Sequence, residues 1–111
     1  MESRLNTNFT AWTGVLTIKA GDKCSDAITR DMFQQTTVQC SDPIVVEISN
    51  HPRPDTADDS TDWYDVGAES KFTYIYTCPF AWMRVRIPGA KDKVATKNTD
   101  CYICSIPPSL N

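Results

Sequence analysis

The sequence contains one histidine, His51, and this shortage limits the chemistry it can perform. A hydroxyl or thiol nucleophile needs a base within hydrogen-bond reach. The only imidazole sits between Asn50 and Pro52, in a stretch rich in turn formers, where a plain surface side chain is expected. Carboxylate-pair glycoside chemistry would need a substrate cleft, for which 111 residues leave little room. No enzymatic activity is expected. An apolar run long enough to cross a bilayer is also missing, and the polar start from Met1 to Asn8 lacks the hydrophobic stretch of a secretory signal. The expectation is a cytosol-made chain with no membrane partner. There is no basic excess either: 11 lysines and arginines stand against 14 acids, a net charge of -3. Binding of nucleic acid through phosphate neutralisation is therefore not expected. Fixed-period repeats and low-complexity tracts are absent, which leaves solenoids and propellers unsupported.

A second cysteine pair is lacking as well. Cys24, Cys40, Cys78, Cys101 and Cys104 form an odd set, so a complete disulfide framework would leave one thiol over, and free thiols are the simpler expectation. Cys101-Tyr102-Ile103-Cys104 has the spacing of half a zinc or redox site, but the other ligands are scattered singly. Residues three apart on a strand also point to opposite faces. The acidic stretch Asp55, Asp58, Asp59, Asp62 and Asp65 lacks the ordered spacing and glycine of a helix-loop-helix calcium site, and reads as a solvated loop. No metal and no cofactor are expected.

What the sequence has is alternation. One parity of Trp12 to Ile18 carries Trp12, Gly14, Leu16 and Ile18, the pattern of a half-buried strand. A short piece around Cys24 to Ile28 follows Gly21-Asp22, and a helix could occupy Ser25 to Gln35 at most. Phe33 to Cys40 favours an extended chain with a wet glutamine face. Ser41-Asp42-Pro43 is expected to close it, and Ile44, Val46 and Ile48 alternate through the clearest strand. His51 to Asp62 reads as a long exposed loop. Trp63 to Val66 resumes order. Phe72, Tyr74 and Tyr76 are expected to turn an aromatic face to the core. In Trp82 to Ile87, Met83, Val85 and Ile87 share one face, and Trp82, Arg84 and Arg86 the other. A last strand runs to Ile106, where Pro107-Pro108 stops it. Seven or eight short strands separated by turns predict an all-β fold, an antiparallel β-sandwich and most simply a jelly roll. Residues 1-11 read as an N-terminal arm, 12-106 as the domain and 107-111 as a C-terminal tail.

Aromatic and arginine residues are the candidates for contact with a partner. Trp12, Trp63, Tyr64 and Trp82 offer rings, and Arg84 and Arg86 share the more polar face with Trp82; tryptophan and arginine are favoured interface anchors. Pro107 and Pro108 belong to a tail free to reach a neighbour.

Three stretches carry a resemblance: Ile44-Val45-Val46-Glu47-Ile48-Ser49-Asn50, Asp62-Trp63-Tyr64-Asp65-Val66-Gly67, and Pro79-Phe80-Ala81-Trp82-Met83-Arg84-Val85-Arg86-Ile87. They look like a pattern common in small phage virion proteins, where a strand ending in Ser-Asn leads to a loop, a Trp and a later Pro-aromatic strand with Arg-Val. At full length the chain resembles the small capsid decoration, or stapling, proteins of short-tailed phages of the epsilon15 type. That resemblance implies a jelly roll made in the host cytoplasm and placed on the outer capsid surface. There it would bind the major capsid protein and stabilise the shell, as a homodimer or else a trimer. The same fold is shared with carbohydrate-binding modules, so a sugar-binding role in a phage tail or host-attachment apparatus stays open.

Overall fold

A computed structural model describes residues 12-29, 35-57, 60-76, 81-89 and 93-106. Among them are six strands and no helix: β1 (Trp12–Ile18), β2 (Ile28–Thr29), β3 (Gln35–Ser49), β4 (Tyr64–Tyr76), β5 (Trp82–Arg86) and β6 (Thr99–Ile106). The fold is all-β, an antiparallel sheet curled into a half-barrel. Part of the span in which a helix was allowed is strand β2, and residues 30-34 lie outside the described ones.

Two expected pairs of short strands are each one long strand. The chain runs through Ser41-Asp42-Pro43 without turning, so β3 spans 15 residues. It likewise runs from Tyr64 through Phe72 in β4, over 13 residues. The turn-forming residues make bulges instead. From Gln39 to Ile44 β3 advances five positions while β4 advances two, Phe72 to Ser70; from Ile44 to Val46 β3 advances two while β4 advances four, Ser70 to Val66. Pro43, which has no amide hydrogen to donate, sits in the first irregularity, and Gly67, at φ 69°, in the second. Both are residues that a bulge accepts and a regular ladder does not.

These bulges divide the sheet. β4 lies along one edge of β3 for nearly its whole length. The other edge takes β6 opposite Gln35 to Cys40 and β5 opposite Val45 to Ser49. The first half thus reads β1-β6-β3-β4 and the second β2-β5-β3-β4. After β1 the chain crosses to the second half, where Ser25 N–H donates to the Val85 carbonyl and Cys24 bridges Arg86. The bend brings β1 against β5 and closes one core. Leu16, Ile18, Val38, Cys101 and Ile103 of the first half meet Ile44, Val46, Ile48, Met83 and Val85 of the second. Burial of such side chains is worth about 1.5 to 3 kcal/mol each, so this shared core holds the halves together.

Register corrects one face. Phe72 and Tyr74 oppose Gln39 and Thr37, the wet parity of β3, and residues directly opposite share a face. Thr73 and Ile75 are therefore the buried residues of that segment, and the rings of Phe72 and Tyr74 are exposed. The side chain of Tyr76 lies outside the described residues.

Candidate binding surface

The two halves differ on their outer faces. On the second half, β5 places Arg84 opposite Glu47, and β4 places Asp65 on Glu47's other side. The Glu47 carboxylate, 6% exposed, accepts from Arg84 Nε at 2.7 Å through Oε1 and from Arg86 Nε at 3.0 Å through Oε2. Arg86 Nη2 donates to Asp65 Oδ2 at 2.6 Å. Burial works against the charge on Arg86, but hydrogen bonding and attraction from Glu47 and Asp65 outweigh it and raise the guanidinium pKa. Two cations and two anions make the cluster neutral, so it presents no net charge to a partner.

A loop seals this cluster. Arg84 Nη1 donates to the Thr56 carbonyl at 3.0 Å, and its guanidinium carbon stands 4.4 Å from the centre of the Trp63 ring, within the range of a cation–π contact. Trp63 Nε1 in turn donates to the Asp55 carbonyl at 2.8 Å, and Asp62 Oδ2 accepts from the Asp55 amide. The His51 imidazole is used locally, its Nδ1 accepting from the Arg53 amide at 3.0 Å.

One residue expected at a contact is thereby placed inside. Arg84 is 1% exposed, and this corrects its reading as an exposed anchor: the loop carrying Thr56 and Trp63 covers it. Trp63 and Trp82 are half-buried, as is Arg86. Tyr64, beside the loop, is 74% exposed and free to touch a partner. Trp12 begins β1, but its side chain lies outside the described residues, as do Pro107 and Pro108 entirely.

The outer face of the first half has no such cover among the described residues. Antiparallel register sets two rows across its four strands: Val15, Tyr102, Gln39 and Phe72 in one, and Thr13, Cys104, Thr37 and Tyr74 in the next. Val15 is 52% exposed, Phe72 55%, Tyr74 53% and Tyr102 56%. Between β1, β6 and β3 the rows enclose a shallow hollow of about 320 Å³. The strand reading of β6 missed this face because alternation alone does not say which parity is dry. The signal was available in the glutamines of β3, whose wet parity the rings of β4 and β6 share.

The four described cysteines, Cys24, Cys40, Cys101 and Cys104, form no disulfide. Cys101 and Cys104 point to opposite faces, one buried and the other exposed, and Cys78 lies outside the described residues. Cys101 is opposite Cys40 in the ladder, and burial, then the neighbouring Cys40 and Asp100, push its thiol pKa well up. Among the described residues no three His, Cys, Asp or Glu side chains come together where they could hold a metal ion. No helix among them is long and apolar enough to cross a membrane. The chain matches no known protein family, no curated protein and no solved structure.

Proposed function

We propose that this chain is a non-enzymatic virion structural protein that decorates a phage capsid on its outer surface and reinforces it by binding the major capsid protein. The observation that supports it most is a corner of the sheet. Trp12 faces Ser105 across β1 and β6, so the start of β1 and the end of β6 lie side by side there. Two neighbouring strand ends at one corner of a stiff body suit a contact that bridges subunits, and capsid symmetry repeats each such contact many times. The stiffness comes from the shared core and from the sealed Arg84–Glu47 pair. In this reading the half-barrel is an open jelly roll: its halves face each other across one core as the sheets of a sandwich do, joined through β3 and β4.

The second reading, a carbohydrate-binding module, is favoured by the exposed rings of Phe72, Tyr74 and Tyr102, since sugars stack on such rings. One experiment separates the two. Purified protein is sedimented with capsids that lack it, intact and after deletion of residues 1-11 or 107-111, alongside a glycan-binding screen. The decoration role predicts that the intact chain cosediments, that each deletion weakens attachment, and that circular dichroism is unchanged. Failure to cosediment together with binding to a defined sugar would replace it.

A further inference from the structure

We infer that the bare outer face of the first half of the sheet is the contact between two copies of this chain, packed face to face about a twofold axis. The inference deepens the decoration reading by naming the surface that makes the dimer, and it leaves the chain ends for the capsid.

Three observations point to a second copy. The first concerns charge. In an isologous contact every side chain meets the same patch across the axis, so a patch rich in charge of one sign repels itself. The eight side chains of the two rows, Val15, Tyr102, Gln39 and Phe72 with Thr13, Cys104, Thr37 and Tyr74, carry no charge. Asp100 lies in the following row and accepts from Thr17 Oγ1 at 2.7 Å. A patch of this kind offers nothing to select an oppositely charged partner, and nothing to keep its own copy away.

The second is area. Val15, Phe72, Tyr74 and Tyr102 are each just over half exposed and Thr13, Gln39 and Cys104 are exposed as well, so the two rows present on the order of 600 Å² to water, against about 800 Å² per partner in a standard specific interface. The share contributed by the four apolar or aromatic side chains falls within the size of the largest apolar patch on a typical monomer, about 300 to 600 Å², a size that often marks a functional surface.

The third is the layer the fold lacks. Among the described residues, the first half is covered on one face by the core and on the other by nothing, while the second half is covered on both faces, by the core and by the loop of Thr56 and Trp63. A second sheet stacked about 10 Å away would cover the first half in the same way. It would seat Tyr102, Phe72 and Tyr74 between the layers, with Thr13, Thr37 and Gln39 supplying hydrogen bonds.

The test is the mass of the whole chain in solution as a function of concentration, by sedimentation equilibrium. The wild type is expected to be a dimer at about 100 µM, a range in which an interface of this size associates. Tyr102→Lys and Phe72→Lys each place two like charges across the axis, and each is expected to raise the dissociation constant on the order of a hundredfold or more. Both positions are exposed in the single chain, so the circular dichroism of both should match the wild type. Tyr64→Lys, exposed but outside the patch, should leave the dimer intact.

A second readout needs no substitution. Maleimide modification of Cys104, resolved by peptide mass spectrometry, should slow as protein concentration rises and the faces cover it. A monomeric wild type, a dimer unaffected by both lysine substitutions, or a Cys104 rate independent of concentration would each overturn the inference. A monomeric wild type that binds a defined glycan, with binding lost in Tyr102→Lys and Phe72→Lys, would give the face to a sugar instead. A monomer that still cosediments with capsids would refute the dimer contact and leave the decoration role standing.

Discussion

Replacing Glu47 with alanine probes what holds the sealed half of the sheet. Its carboxylate receives Arg84 Nε at 2.7 Å and Arg86 Nε at 3.0 Å, with the Arg84 and Glu47 side chains 2% and 8% exposed. Removing one partner of a buried pair leaves the other charge without compensation, which costs about 3 to 5 kcal/mol. Among the described residues Arg84 would retain the Thr56 carbonyl and the Trp63 ring, neither of which carries the opposing charge. Asp65→Ala is the internal comparison. Its bond to Arg86 joins side chains 48% and 25% exposed, where solvent screening reduces a pair to about 0 to 1 kcal/mol. The double replacement Glu47→Leu with Arg84→Met removes charge and countercharge together and is expected to recover most of the loss. Urea unfolding followed by tryptophan fluorescence measures all three. If Glu47→Ala costs less than about 1 kcal/mol, the pair is not the buried structural contact that its geometry indicates.

Two further predictions concern buried polar groups. Thr73 Oγ1 is buried with no hydrogen-bond partner among the described residues, so Thr73→Val, which keeps the branched shape and deletes the hydroxyl, is expected to stabilise the fold by about 1 kcal/mol; a destabilised variant in the same urea assay would show that the hydroxyl is paired. The Cys101 thiol pKa is raised in the folded chain by burial, then by Cys40 and Asp100, while in the unfolded chain a thiol ionises near about 8.5. Above that pH the unfolded state has lost a proton that the folded state keeps, so stability falls as pH rises and is unaffected by this group below it. Urea midpoints between neutral and alkaline pH should fall more steeply for the wild type than for Cys101→Val, and equal slopes would contradict the assignment.

The short regular strands were legible because each alternates cleanly within itself. Trp12 to Ile18, Trp82 to Arg86 and the strand ending at Ile106 are where the pattern places them. On β5 the division of Met83 and Val85 from Trp82, Arg84 and Arg86 is the division seen. The long strands were not legible as such. Ser41-Asp42-Pro43 has the composition of a turn, and a bulge in a continuous strand uses the same residues for the same backbone reasons. The placement of Arg84 was half legible: parity puts it on the polar face, but the loop that covers it contributes a ring and a carbonyl rather than an apolar run. The exposed face of Phe72, Tyr74 and Tyr102 was hidden because apolar residues outside a core are common. Only cross-strand register, which sets the rings beside Gln39 and Thr37, assigns them to water.

The most direct test of the decoration role is cryo-electron microscopy of capsids to which the purified chain has been added. The account predicts ordered density for the half-barrel on the outer surface, in symmetric copies, with the corner where Trp12 meets Ser105 turned toward the major capsid protein. Capsids that remain bare at saturating protein, or density that contacts the shell only through the opposite end of the sheet, would contradict it.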